Sequence, residues 1–85
     1  MKLTIRYFAA LREALGASSE TVEVPDSVRC AGELRAWLRE RGGAWAVHLG
    51  DARAVRVSVA QAMAEAGTPI ADGDEVAFFP PVTGG

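Results

Sequence analysis

The feature that most constrains this chain is its final ten residues, which read VAFFPPVTGG from Val76 to Gly85. Val76 and Phe78 lie on one face of a predicted strand, because side chains in a strand alternate with a period of two. The strand must end before Pro80 and Pro81, since proline has no amide hydrogen to donate to a neighbouring strand. The sequence therefore predicts a core strand that continues into a stiff, extended segment.

Beyond the two prolines the sequence predicts a thin arm, made of Val82, Thr83, Gly84 and Gly85. Glycine has no side chain, so such an arm can enter a narrow channel or approach another backbone closely. The six residues from Pro80 onward could reach roughly 20 Å if fully extended. This form suits a carboxylate at Gly85 that is itself the reacting group. Small residues also occur at chain ends that have no function, but the strand and the proline pair before them favour the reactive interpretation.

The composition is that of one small folded domain. Eighty-five residues, of which 49% are apolar, are enough for a single hydrophobic core. We expect this domain to occupy residues 1–79 and the reactive tail to occupy residues 80–85. The net charge of −2 gives no reason to expect binding to nucleic acid.

The cysteine content and the apolar runs indicate the compartment. The single cysteine, Cys30, excludes an internal disulfide and fits a reducing environment. No apolar run approaches the length of a membrane span, and the first residues lack the apolar core of a signal peptide. We expect a cytoplasmic protein that does not enter a membrane.

The spacing of apolar side chains indicates the secondary structure. Alternating patterns predict strands over residues 2–8, 21–24, 54–59 and 76–79, and helical patterns predict a short helix over 9–15 and a main helix over 31–41. Residues 44–49 form a short apolar turn or helix, and residues 60–66 are ambiguous between an edge strand and a helical turn. One long helix packed across a mixed sheet of four to five strands is an α+β arrangement.

The inward faces of these elements define the core. The sequence predicts that it contains Leu3, Ile5, Tyr7, Leu34, Leu38, Val76 and Phe78. In the strand over residues 54–59, Val55, Val57 and Val59 point inward, whereas Arg56 and Ser58 point outward. Trp37 and Trp45 are interpreted as packing at the edge of the core.

Two aromatic side chains do not fit the core pattern. Phe8 and Phe79 each fall on the outer face of their strands, and both lie close to the start of the tail. Exposed aromatic side chains at one place are typical of a docking surface, although scattered ones need no explanation. We predict that Phe8 and Phe79 contact a partner.

No metal site or bound cofactor is predicted. His48 is the only histidine and has no cysteine or carboxylate partner at the spacing of a metal site. The run Asp72-Gly73-Asp74 predicts a tight turn, because the other ligands of a calcium loop are missing. Cys30 stands where a helix cap would have a hydroxyl, and we interpret it as a small, half-buried residue.

The chain resembles the ubiquitin-like β-grasp sulfur carriers, and among them the small subunit of molybdopterin synthase. The resemblance covers the whole chain and is most specific in DGDEVAFFPPVTGG at residues 72–85, with RYFAALRE at 6–13 and GEL at 32–34. Two positions depart from it: Ala60, where many relatives have asparagine, and Cys30, which replaces a hydroxyl cap. Both concern local turn or cap geometry and leave the tail unaffected.

The resemblance implies a function for the tail. In this family an adenylating enzyme uses ATP to activate the terminal glycine, here Gly85, and a sulfur donor converts it to a thiocarboxylate. The tail then enters the large subunit of molybdopterin synthase, where the sulfur builds the dithiolene of molybdopterin. By this resemblance residues 80–84 thread the channel, and the chain is a sulfur-donating subunit without catalytic groups of its own.

Three other functions remain open at this stage, one of which is a plain interaction module whose tail is inert. A sulfur carrier for thiamine or a related pathway would share the fold and Gly84-Gly85. A ubiquitin-like protein modifier would share the activation step but would form isopeptide bonds. Because Lys2 is the only lysine, chains of this protein linked to itself through lysine have little scope.

Overall fold

The computed structural model describes residues 1–81, so the arm residues Val82, Thr83, Gly84 and Gly85 lie outside it. The elements in chain order are β1 (Lys2–Tyr7), α1 (Ala9–Leu15), β2 (Ser19–Glu23), α2 (Ala31–Arg39), α3 (Gly43–His48), β3 (Arg56–Val59), β4 (Ala62–Ala64) and β5 (Glu75–Phe79). The strands form one sheet in the order β2-β1-β5-β3-β4. β1 and β5 run parallel, and the other neighbouring strands are antiparallel. This mixed sheet with one main helix is the predicted β-grasp arrangement.

The core lies on one face of the sheet. Its largest fully buried side chains include the predicted set Leu3, Ile5, Tyr7, Leu34, Leu38, Val76 and Phe78, together with Leu49 from the end of α3. Trp37 and Trp45 pack against this cluster while remaining partly exposed, as predicted. Burial of each large apolar side chain contributes roughly 1.5–3 kcal/mol. Burial of these side chains against the helices therefore stabilises the central pairing of β1 with β5.

The beginning of α2 is fixed by the loop that leads from β4 to β5. The amides of Ala31 and Gly32 donate to the carbonyls of Thr68 and Ala66, at 3.0 and 2.7 Å. These bonds satisfy amides that a helix start leaves without partners. Cys30 makes no side-chain cap bond to the backbone, and it is partly buried as expected.

One local prediction needs correction, and the structure adds detail to two others. The main helix ends at Arg39 and not at Arg41. Ser58 does lie on the outer face but is buried, because its neighbours across the sheet are Ala77 on β5 and Met63 on β4. The ambiguous segment forms a tight hairpin into the edge strand β4, with φ of 50° at Ala60 and 68° at Gln61.

Within residues 1–81, no helix is both long and apolar enough to cross a membrane. The longest, α2, has nine residues.

Candidate functional site

The site begins where β5 ends and the chain leaves the sheet. The parallel register places Tyr7 opposite Phe78, so the next residues, Phe8 and Phe79, both lie on the face away from the core. Their rings stack with centroids 4.9 Å apart and planes inclined by 6°. The amide of Phe8 also donates to the carbonyl of Phe78 at 3.2 Å. Phe8 and Phe79 therefore lie side by side near the start of the tail, as predicted.

The backbone next to Phe8 is unusual. Ala9 has a φ of 53°, which lies in the left-handed region that residues with a side chain rarely adopt. This turn takes the chain abruptly from β1 into α1 and leaves Phe8 on the outer face of the sheet. Conformations of this kind persist where the surrounding structure holds them.

A shallow apolar depression surrounds the stacked pair. We call it the exit surface; its lining consists of Phe8, Ala9, Arg56, Met63, Phe79, Pro80 and Pro81. Its volume is about 590 Å³, and Met63 at its edge is 58% exposed. The sequence predicted Phe8 and Phe79 as docking residues and Pro80 and Pro81 as the start of the tail, but it did not assign Met63 and Arg56 to this surface. Arg56 had already been placed on the outer face by the alternation of β3, and the alternation of β4 would have placed Met63 there had the edge strand been identified.

A second groove lies on the other side of the proline pair. Pro80 and Pro81 also face a groove of about 230 Å³ that is lined by Ala10, Leu11, His48, Arg53, Ala54 and Val55. Its loop wall is held by Arg35 of α2, whose guanidinium donates to the carbonyls of Leu49, Gly50 and Arg53 at 2.6–2.8 Å. Burial lowers the pKa of Arg35 from its ordinary value. Pro80 and Pro81 thus line a depression on each side of the point at which the tail begins.

A hydrogen-bonded cluster supports β1 from the core side. The Tyr7 hydroxyl donates to a Glu20 carboxylate oxygen at 2.8 Å, and Arg41 donates to both Glu20 oxygens at 2.8 and 2.9 Å. The Arg41 guanidinium lies 4.4 Å from the ring centroid of Trp45, which meets Tyr7 edge to face. Burial and the Glu20 contact raise the pKa of Tyr7, so its hydroxyl stays protonated as a donor. Bonding to Arg41 lowers the pKa of Glu20 and raises that of Arg41.

The cluster has a structural role, because none of its members reaches the exit surface. Among residues 1–81, no three histidine, cysteine or carboxylate side chains lie together as a metal ion would need. The predicted threading and reacting residues Val82, Thr83, Gly84 and Gly85 lie outside the described residues. Their roles remain predictions.

Comparison with known proteins decides the family. The model of the ThiS family matches this chain from residue 5 to residue 85. The chain belongs to the ThiS family. Two curated relatives of this ThiS family member are named molybdopterin synthase sulfur carrier subunit. The protein from Haemophilus influenzae is 34% identical, and the one from Escherichia coli is 36% identical. Each match covers 98% of this chain and 99% of the relative.

Solved structures agree with the ThiS-family fold. The crystal structure of small archaeal modifier protein 1 from Haloferax volcanii matches this chain with a TM-score of 0.77 and 29% sequence identity. The match covers 95% of this chain and 98% of that protein. The ubiquitin-like β-grasp prediction is confirmed.

Proposed function

We propose that this chain is the sulfur carrier subunit of molybdopterin synthase. The observation that carries the proposal is the ThiS-family match, which extends through Gly84 and Gly85, together with two nearly full-length relatives of that name. The geometry is compatible with it. The exit surface and the proline pair lie directly before the arm, so a partner that binds this surface would receive the tail in a defined direction.

In the proposed first step an adenylating enzyme activates the tail. A carboxylate oxygen of Gly85 attacks the α-phosphorus of ATP, which forms an acyl-adenylate and releases pyrophosphate. A sulfur donor then supplies sulfur at the oxidation level of sulfide. It attacks the carbonyl carbon, the bond to AMP breaks, and Gly85 carries a thiocarboxylate. A free carboxylate is a poor electrophile, and adenylation gives its carbon a good leaving group.

In the second step the charged tail enters the large subunit of the synthase. The thiocarboxylate sulfur bonds to a carbon of the pterin precursor and displaces an oxygen-linked leaving group. Water then cleaves the resulting thioester, which leaves the sulfur on the pterin and restores the carboxylate of Gly85. The contribution of this chain is to place one atom in a site that the partner builds. We propose that it binds no cofactor and is not catalytic alone, so that the partners supply ATP and the acid and base groups.

The mass of the intact protein tests this proposal. After incubation with ATP, the adenylating enzyme and a sulfide source, exchange of one oxygen for sulfur should raise the mass by about 16 Da. Fragmentation should place the change at Gly85. No mass change at Gly85, with the adenylating enzyme shown to be active on another carrier, would rule out the proposed chemistry. A protein shortened by Gly84 and Gly85 is the matched control and should gain no sulfur.

A second candidate is a protein modifier. It is supported by the likeness to the Haloferax volcanii small archaeal modifier protein 1. A modifier would share the activation of Gly85 but would transfer its acyl group to amines on other proteins. Isopeptide-linked conjugates detected by peptide mass spectrometry, with no sulfur transferred to pterin, would favour this candidate over the first.

A further inference from the structure

Charge is distributed unevenly along this domain. The end from which the tail leaves carries Arg6, Arg53 and Arg56, which we call the exit arginines. Arg6 lies with its guanidinium 5.3 Å from the centroid of Phe8. Arg56 is the cross-strand partner of Phe79, and Arg53 lines the groove beside Pro80 and Pro81. The exit surface therefore has an apolar centre with Arg56 in its lining and Arg6 beside Phe8, and Arg53 lies on the other side of the proline pair.

The opposite end of the sheet is acidic. Glu23 pairs with Lys2 at the beginning of β1, and Asp72 accepts a hydrogen bond from the Lys2 amide at 2.6 Å. Asp74 lies in the same turn before β5, where its side chain accepts a bond from the amide of Ala71. The six residues of β1 separate the two ends by roughly 17 Å. A chain with a net charge of −2 thus presents its positive end with the tail.

Two of the exit arginines are available for a partner. Among residues 1–81, no carboxylate lies within 4 Å of Arg53 or Arg56, and both residues are exposed. Arg6 is only loosely paired, with Glu75 at 3.9 Å. By contrast, Arg39 and Arg41 are each bound to a carboxylate within 3 Å. Arg56 also lines the exit surface itself, beside Met63 and Phe79.

We propose that the exit surface binds a partner face with an apolar centre and carboxylates at its rim, and that Arg56 is the main charged determinant of that contact. The inference rests on the proposed function, because the partner face would be the mouth of the channel that receives the tail. Complementary charge at a rim accelerates association and fixes orientation. Here it would turn the carrier so that the tail arrives first.

Charge reversal with a matched control tests the proposal. Arg56→Glu and Lys2→Glu change the net charge by the same amount at opposite ends of the sheet, the first beside Phe79 and the second at the beginning of β1. Association with the large synthase subunit from the same organism would be followed by stopped-flow fluorescence at low and high salt. We expect Arg56→Glu to lower the association rate constant about tenfold or more at low salt, and Lys2→Glu to leave it within about twofold. At 1 M salt the Debye length is only about 3 Å, so the two should converge.

The outcomes are separable. Arg56→Gln, which removes the charge and keeps most of the length, should be intermediate between wild type and Arg56→Glu. Equal rates for Arg56→Glu and Lys2→Glu at low salt would overturn the proposal. If Arg56→Glu binds normally while Phe79→Ala does not, Arg56 is not the charged determinant of the contact. The proposed function is then unaffected. If wild type neither binds the subunit nor acquires sulfur at Gly85, both the exit-surface proposal and the proposed function are wrong. Thermal melting checks that every variant is folded.

Discussion

Phe78 and Phe79 are adjacent in β5 and point to opposite faces of the sheet. Phe78 is 1% exposed and stacks on Tyr7 inside the core, whereas Phe79 is partly exposed and stacks on Phe8 outside it. One strand thus supplies an anchor for the fold and, on its other face, the aromatic side chain that we predict contacts a partner. Truncation of the two neighbours should therefore have different consequences.

We expect Phe79→Ala to weaken partner binding by about 1–3 kcal/mol, as for an aromatic residue at an interface. Phe78→Ala should lower the free energy of unfolding by about 3–5 kcal/mol, because it leaves a cavity in a closed core. Phe79→Ala should cost clearly less in folding. Urea unfolding and titration calorimetry with the large subunit measure the two effects. Equal destabilisation by both variants would contradict the opposite roles of the two faces.

The sequence predicted that Phe78 and Phe79 face opposite sides of the sheet, because the alternation of side chains along a strand is a local property. Alternation over residues 76–79 and 2–8 is enough to separate Val76 and Phe78 from Phe79, and Tyr7 from Phe8. Parallel pairing of β1 with β5 then brings the two outer rings together. The prediction required only that the last strand join the first.

The hairpin before β4 could not be predicted in the same way. Two-residue hairpin turns of this kind favour Asn-Gly, because both central residues need positive φ. Here those positions are Ala60 and Gln61, which give no turn signal. The edge strand was therefore ambiguous, and Met63 on it was missed as part of the exit surface. The tail predictions at residues 82–85 rest on the sequence and the family alone.

The contact between Tyr7, Glu20 and Arg41 should make stability depend on pH. The folded-state pKa of Glu20 is lowered, chiefly by Arg41, from an ordinary value of 4.5. Ionised Glu20 therefore stabilises the fold fully above pH 4.5, and this contribution is lost as the pH falls through the lowered folded-state pKa. The side chain is 24% exposed, so solvent screening moderates the effect.

Glu20→Gln should consequently reduce stability near neutral pH, and the gap from wild type should shrink as the pH falls below 4.5. Urea unfolding at a series of pH values measures this difference. Glu40→Gln is the control for the charge change, since Glu40 is exposed and forms no ion pair within residues 1–81. A gap between wild type and Glu20→Gln that stays constant down to about pH 3 would contradict the assigned linkage.

Gly32 should tolerate no side chain. A Cβ there would lie 3.0 Å from the carbonyl oxygen and 3.1 Å from the Cβ of Ala66, against which the helix start is already hydrogen-bonded. Overpacking costs about 1–3 kcal/mol, which outweighs the gain in helix propensity of at most about 1 kcal/mol. We expect Gly32→Ala to lower the free energy of unfolding.

Gly67→Ala, in the same loop contact region, is the matched control. An added Cβ at Gly67 would meet nothing within 4 Å, so its effect should stay within about 0.5 kcal/mol. Chemical unfolding of the two variants beside wild type makes the comparison. A Gly32→Ala protein that is as stable as wild type would contradict this prediction. It would mean that the loop over residues 66–68 can move away from the added Cβ and still keep its hydrogen bonds to α2.

The last prediction tests whether the thinness of the arm matters beyond its charge. Gly84→Val leaves Gly85 and its carboxylate chemically intact. Because we predict that the folded domain ends at residue 79, a substitution at Gly84 should change folding stability by no more than about 0.5 kcal/mol. A β-branched side chain nevertheless restricts the backbone and adds bulk next to the reacting group. Displacement of a reacting atom by about 1 Å can lower a rate on the order of a hundredfold.

We therefore expect Gly84→Val to melt like wild type but to lose most of its adenylation, its sulfur transfer to the pterin, or both. Pyrophosphate release by the adenylating enzyme and product formation by the synthase measure the two steps separately. Phe79→Ala provides the contrast, because it should weaken docking while an intact arm still reacts at saturating partner concentration. Full synthase activity of Gly84→Val would mean that the partners recognise only the carboxylate, and the role assigned to the paired glycines would be wrong.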